Sequence, residues 1–315
     1  MGMNIAVWLQ SPASACWTIT ARQIEYMQSR IPSARVLHAE SPEEFVRILP
    51  QAETAVAWFF EQEWLEAAGQ LRYLVTPAAG LDYFAAQLPP HIEVKNSRFH
   101  GRIISESVIG MLLDHNRRIT ESAVRMRSEE WPRSAIAGRA RRLHGSHIVI
   151  LGFGRIGEWT ARRAKLFGCR VTGIKRNPEI PRPDFFAHED RIEGLERMPS
   201  ILPSADHLVL ALPRSSETDQ IIGRAELEIL PAHAVLYNVG RGNAVDHAAL
   251  KDALRSQQIE AAYLDVFEME PLPMSSPLRH IDNCYLMPHV SAAAPDFLDL
   301  FIDEFSARYR KWHAE

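Results

Sequence analysis

From the first residues, short apolar and β-branched runs alternate with stretches whose apolar positions recur at helical spacing. Residues 5–9, 35–38, 55–59, 73–76 and 92–95 read as strands, with helical segments at 18–29, 42–49 and 62–68 between them. Such alternation predicts a parallel sheet wrapped by helices. Between 101 and 131 lies a longer helical pattern carrying Val108, Ile109, Met111, Leu112, Leu113, Ile119 and Val124. A helix this apolar is predicted to be buried in a domain or subunit interface. Pro132 and the basic residues Arg139, Arg141 and Arg142 then mark a break. A second alternation begins, with strands predicted at 147–151, 170–174, 207–211, 234–238, 261–266 and 285–287. At 296–312, Phe297, Leu300, Phe301 and Phe305 keep a helical spacing that needs a surface to cover. The expectation is an α/β chain of two doubly wound parallel-sheet domains.

Composition narrows the choice of function. The chain has 315 residues, 46% hydrophobic and 23% charged, which suits a globular protein of two domains. Lys and Arg number 35 against 39 Asp and Glu, a formal charge of −4 with no long run of one sign. That pattern offers no footprint for a phosphate backbone, so no nucleic-acid partner is expected. Cys16, Cys169 and Cys284 are far apart and have no CxxC or His-rich companion, so no metal site is expected and a reducing cytoplasm fits. No apolar run approaches the ~18 residues that span a bilayer, and the start lacks the basic and apolar regions of a signal peptide. Ala6 stands where a myristoylation motif wants Ser or Thr. The expectation is a cytoplasmic protein with no membrane partner.

The most specific local signal is Gly152-Phe153-Gly154-Arg155-Ile156-Gly157, directly after the strand 147–151. A helical stretch at 158–167 follows, Gly168 stands where a helix C-terminal glycine belongs, and the next strand opens at Arg170. The first glycine serves a tight turn, the second lets backbone N–H groups approach a pyrophosphate, and the third lets helix and strand pack closely. The helix N-terminus adds partial positive charge. An acid closing the second strand would accept hydrogen bonds from the ribose diol of NAD. That position, 175 − 152 = 23 residues on, is Lys175, followed by Arg176. Two cations suit a 2′-phosphate, so NADP is favoured, with NAD second.

Later strand ends carry the candidate chemistry. Val239-Gly240-Arg241-Gly242 follows the strand 234–238 and sets an arginine fork where it could bind a carboxylate. Asp265 and Glu270 follow the next strand, and His289 the one after. A carboxylate beside a histidine stabilises the imidazolium and makes a proton donor near neutral pH.

Taken together, the text from 227 to 293, the fingerprint VILGFGRIG and the segment HLVLALPRSSETDQII resemble the D-isomer-specific 2-hydroxyacid dehydrogenases, of the glyoxylate/hydroxypyruvate reductase kind. The likeness covers roughly 70 to 300, and the first 70 residues only by architecture. It implies a flavodoxin-like substrate domain from 1–99 plus 289–315 and a Rossmann dinucleotide-binding domain from 100–288. It assigns Arg241 to substrate binding and polarisation, His289 to acid/base work and Glu270 to supporting that histidine. The segment TPAAGLD resembles the loop whose amides hold the substrate carboxylate, which points to Ala79 and Gly80. Leu212, Pro213, Thr218, Val239 and Asp265 would join Gly152, Gly154, Arg155, Ile156, Gly157, Lys175 and Arg176 around the cofactor. Met287 replaces the more usual Thr before Pro-His, and Ser291-Ala292-Ala293 replaces a glycine-rich continuation, which bears on substrate choice. The implied activity is reduction of a small 2-oxo acid, glyoxylate or hydroxypyruvate in type, to the D-2-hydroxy acid with NADPH. A homodimer through the dinucleotide-binding domain is also implied. Two other readings share parts of the pattern: a dinucleotide-sensing corepressor, which keeps the fingerprint, and a formate dehydrogenase, expected to be longer with a glutamine ahead of the histidine.

Overall fold

A computed structural model describes residues 3–81, 84, 87–128 and 131–312. The chain divides into two compact units, Met1–His100 with Ala293–Glu315, and Gly101–Ala292. The second unit therefore keeps His289 to Ala292, which the sequence reading gave to the first. The physical reason is local: the Val290 and Ser291 amides bond to the carboxylate of Asp265, within the second unit.

The first unit is a sheet of β1 (Met3–Trp8), β2 (Ala34–His38), β3 (Thr54–Ala57), β4 (Tyr73–Val75) and β5 (Glu93–Lys95). All pairings are parallel and the order is β2-β1-β3-β4-β5, the flavodoxin-like arrangement. Helix α1 (Ala21–Arg30) starts at a capping box of Thr20 and Gln23, and α2 (Pro42–Ile48) at Ser41 with proline in its first turn. The stretch predicted as helical at 62–68 is a 3-10 turn, Gln62–Ala67, whose Trp64 packs edge-on against Trp8, Phe45 and Phe60.

In the second unit seven parallel strands run in the order β12-β11-β10-β9-β6-β7-β8. They are β6 (His147–Leu151), β7 (Arg170–Ile174), β8 (Arg191–Glu193), β9 (His207–Leu210), β10 (Val235–Asn238), β11 (Ala261–Leu264) and β12 (Cys284–Leu286). The order doubles back at β6, and open α/β sheets bind ligands at the carboxyl ends of strands where their order reverses. The edge strand β8 has no counterpart in the sequence reading, because three residues ending in a charged one carry no readable period. One expected long helix is two, α3 (Gly101–Arg117) and α4 (Ile119–Ser128), separated by Arg118 at φ 55°. Val108, Ile109, Met111 and Leu112 of α3 are buried and Leu113 partly so, not in a domain or subunit interface as expected but in the second unit's own core, in one cluster with Ile104, Tyr237 and Tyr263. Ile119 and Val124 are not: they are 56% and 58% exposed, since α4 has left the path of α3. Shorter helices α5 (Arg133–Ala137), α7 (Met198–Ile201) and α8 (Arg224–Ile229) accompany α6 (Arg155–Leu166) and α9 (His247–Arg255). The chain closes with α10 (Phe297–Trp312), whose Phe297, Leu298, Phe301, Ile302 and Phe305 enter the first unit's core. Its outer side is clasped to α1 by Asp299 with Arg22 and by Asp303 with Tyr26. Among the described residues no helix is long and apolar enough to cross a membrane.

The end of α3 is held by polar contacts near the amino ends of the second sheet. Tyr263 donates to Asp114 at 2.7 Å, and the His207 ring lies between the Asn116 amide and the Tyr237 hydroxyl, 3.1 Å from each. Burial pulls His207 down to about 3, so it is a neutral structural histidine. Glu260, just ahead of β11, binds Arg118 and, at 2.9 Å, Arg141. Burial by itself would raise the Glu260 carboxyl, but the close approach of His115 and Arg118 outweighs it and brings it down to about 2. The folded state therefore binds this proton less readily than the unfolded chain, whose glutamates titrate near ~4.3. The stabilisation from Glu260 is complete above that pH and is lost as pH falls toward about 2. Denaturant midpoints followed from pH 7 downward should show wild type above Glu260→Gln at neutral pH, with the two curves converging across this acid window.

Candidate active site

The fingerprint folds as its glycines require. Gly152 takes φ +97°, and a Cβ there would lie 2.6 Å from the Ala211 carbonyl oxygen. At Gly157 a Cβ would meet the Gly152 carbonyl oxygen at 2.6 Å, so the first turn of α6 lies directly on the strand end. Gly154 differs: nothing in the protein comes within 4 Å of its missing Cβ. No neighbour demands glycine there, and open space over an N-terminus that no side chain caps is what an approaching phosphate needs. Arg155 and Ile156 form that first turn. Phe153 turns instead into the sheet, its ring covering Gly173 of β7.

Around this turn lie the other residues expected to serve the cofactor. Lys175 follows β7, its amide bonded to the Glu193 carbonyl at 3.0 Å, and the exposed Arg176 pairs with Glu217. Leu212 and Val239 are buried at the ends of β9 and β10, and Pro213 is exposed. The Thr218 hydroxyl is turned inward: it donates to the Pro213 carbonyl at 2.8 Å and accepts the Ser215 amide at 3.0 Å. Its visible work is to fix the shape of the 213–218 loop. A Cβ on Gly240 would sit 2.6 Å from Leu212 backbone atoms, so this loop and the one carrying Arg241 touch backbone to backbone.

Arg241 is positioned by a residue that the sequence reading passed over. Asn238, fully buried at the end of β10, donates to the Arg241 carbonyl at 3.0 Å and accepts the Gly240 amide at 3.1 Å. A polar residue closing an otherwise apolar strand was the available signal. Gly242 rests against the chain between Phe267 and Glu268 so closely that a Cβ would fall 1.8 Å from the Phe267 carbonyl carbon. The Arg241 loop and the loop bearing Glu270 are thereby locked together.

His289 and Glu270 meet. The imidazole Nδ1 lies 2.7 Å from Glu270 Oε2, while Oε1 accepts the Phe267 amide at 2.9 Å. Partial burial works against ionisation of Glu270; the His289 hydrogen bond, the Phe267 amide and the charges of His289 and Arg241 overcome it and hold the carboxyl below its ordinary range. So the three residues set apart in the sequence converge: Glu270 is in contact with the histidine and within the electrostatic reach of the arginine. Asp265, expected at the nicotinamide end of the cofactor, has a local structural role at the end of β11. Its carboxylate, 2% exposed, accepts the Val290 amide at 2.8 Å and the Ser291 amide at 3.0 Å. It anchors the segment that carries His289, whose own amide bonds the Asp265 carbonyl at 2.9 Å.

In the first unit, Ala79 and Gly80 follow β4 at the carboxyl end of its sheet. That loop is pinned by Asn96, which donates to the Ala79 carbonyl at 2.5 Å, and by Ser97, whose amide bonds the Ala78 carbonyl at 3.1 Å and whose hydroxyl donates to the Thr76 carbonyl at 2.9 Å. These anchors carry no readable signal in the sequence.

Residues 109–291 match the family model described as D-isomer specific 2-hydroxyacid dehydrogenase, NAD binding domain. Glyoxylate/hydroxypyruvate reductase B of Yersinia pestis (strain Pestoides F) is 32% identical over 265 residues, covering 82% of this chain and 79% of that protein. D-3-phosphoglycerate dehydrogenase of Methanocaldococcus jannaschii is 33% identical over 193 residues, 61% of this chain but only 36% of that protein. A D-isomer specific 2-hydroxyacid dehydrogenase from Xanthobacter autotrophicus Py2, solved with NADPH and MES, superposes with a TM-score of 0.79 at 27% identity, covering 99% of this chain and 95% of that one. With the fingerprint, the two sheet orders and the Arg241, Glu270 and His289 group in view, the chain belongs to the D-isomer-specific 2-hydroxyacid dehydrogenase family of NAD(P)-dependent oxidoreductases.

Proposed function

We propose that this protein reduces a small 2-oxo acid of the glyoxylate or hydroxypyruvate type to the D-2-hydroxy acid, with NADPH preferred over NADH. The observation that carries the reading is the 2.7 Å His289–Glu270 pair with the charge of Arg241 beside it. It lies at the same edge of the sheet as an uncapped helix N-terminus and an open Gly154.

The dinucleotide, when bound, supplies the hydride. The residues that would hold it are Gly152, Gly154, Arg155, Ile156 and Gly157 at the pyrophosphate, Lys175 and Arg176 at the 2′-phosphate, and Leu212, Pro213 and Val239 along the strand ends. The guanidinium of Arg241 binds the oxo acid and stabilises the negative charge that grows on its carbonyl oxygen. The His289 imidazolium gives that oxygen its proton, and ionised Glu270 holds the ring in place. The amides of Ala79 and Gly80 are the proposed donors to the substrate carboxylate. The unpaired thiols Cys16, Cys169 and Cys284 support a reducing compartment, the cytoplasm. Ile119, Val124, Met126 and Trp131, between 50% and 70% exposed on and just after α4, support a homodimer through the dinucleotide-binding unit.

Three measurements test this reading. His289→Ala and Arg241→Ala should each lower turnover of glyoxylate or hydroxypyruvate by roughly 10² to 10⁴ while NADPH binding changes little; turnover close to wild type in both would reject the site. As pH falls, the rate of reduction should hold through the ordinary glutamate range, because Glu270 stays ionised below it, and Glu270→Gln should lower turnover; full turnover in Glu270→Gln removes that carboxylate as the partner of His289. Sedimentation should give a dimer mass for wild type and a monomer mass for Val124→Glu combined with Met126→Glu, whereas a wild-type monomer refutes the assembly.

A further inference from the structure

We infer that Glu217 tunes the choice between NADP and NAD by acting as an internal rival for Arg176. This rests on the reading of Lys175 and Arg176 as the 2′-phosphate site. The guanidinium of Arg176 is paired with the Glu217 carboxylate, both side chains being largely exposed. Arg176 follows β7, Glu217 lies in the loop after β9, and β6 stands between those two strands in the sheet. The pair therefore links the loops on either side of the β6 end, where the fingerprint turn opens at Gly152.

Both partners are placed by the fold rather than by chance. The 213–218 loop is fixed through the buried Thr218 hydroxyl and its bonds to Pro213 and Ser215, which leaves Glu217 next to the anchored residue. The chain before Arg176 is held by the Lys175 amide on Glu193 of the edge strand. Two consequences follow from charge alone. A 2′-phosphate can take Arg176 only by displacing a carboxylate that stays in the neighbourhood and repels it. A free ribose diol meets no such penalty, and Glu217 offers it the carboxylate acceptor that Lys175 denies it at the end of β7. Glu217 therefore weakens NADP and supports NAD, holding the protein to a modest preference rather than a strict one. Because the ion pair is exposed, the effect is a few-fold and declines with salt.

The test is equilibrium binding, read from the fluorescence of NADPH and of NADH in titrations with wild type, Glu217→Gln and Arg176→Ala at low and high salt. Glu217→Gln should bind NADPH about two- to fivefold more tightly than wild type and NADH more weakly, and the gap should narrow at high salt. An unchanged NADPH to NADH ratio in Glu217→Gln, or an equal loss for both, overturns the inference. Arg176→Ala separates this from the underlying reading. If it weakens NADPH while Glu217→Gln does nothing, only the role of Glu217 fails; if it leaves NADPH binding as in wild type, the 2′-phosphate site itself is wrong.

Discussion

The buried carboxylate of Asp265 is the constraint on which the placing of His289 against Glu270 depends. A carboxylate removed from water is costly unless its oxygens are bonded, and here Val290 and Ser291 supply their amides. Those bonds, with the His289 amide on the Asp265 carbonyl, bend the chain after β12 so that His289 adopts φ 55°. A residue with a side chain resists the left-handed region by ~1–2 kcal/mol. The surrounding bonds offset this, and the imidazole is left facing Glu270.

Convergence of the remaining loops is a matter of backbone contact. Gly152 against Ala211, Gly240 against Leu212 and Gly242 against Phe267 form a chain of close approaches across the ends of β6, β9, β10 and β11. At none of the three is there room for a Cβ. Tight packing of this kind transmits position without play, so the arginine, the glutamate and the fingerprint turn are held as parts of one edge. Nothing about the sheet requires a glycine at the second fingerprint position, where the space beside Gly154 is open.

Two histidines show how environment divides structural from chemical roles. His207 is buried between an amide and a tyrosine hydroxyl, is pulled down to about 3, and can carry no charge near neutrality. His289 has a side chain 36% exposed and a carboxylate partner. Solvent access and an ionised neighbour suit it to exchange protons, while its buried counterpart keeps α3 on the sheet.

Periodicity alone determined every strand but β8, with ends within two residues of the observed ones; 147–151 and 170–174 were readable to the residue, because their mostly buried residues stand between polar turns. The glycine spacing likewise exposed the dinucleotide turn, since each glycine answers a steric demand of that turn. Edge strand β8 and the break at Arg118 were illegible: each depends on a partner distant in sequence, Thr172 for the strand and Glu260 for the arginine, and the exposed face of α4 follows from that break. Arg241, Glu270 and His289 could be nominated from the text, but only tertiary structure decided that Asp265 anchors a turn, that Asn238 aims the arginine and that Glu217 confronts Arg176. Hydrogen bonds and ion pairs between strand ends are set by which strands lie side by side, and strand order is not written in local pattern.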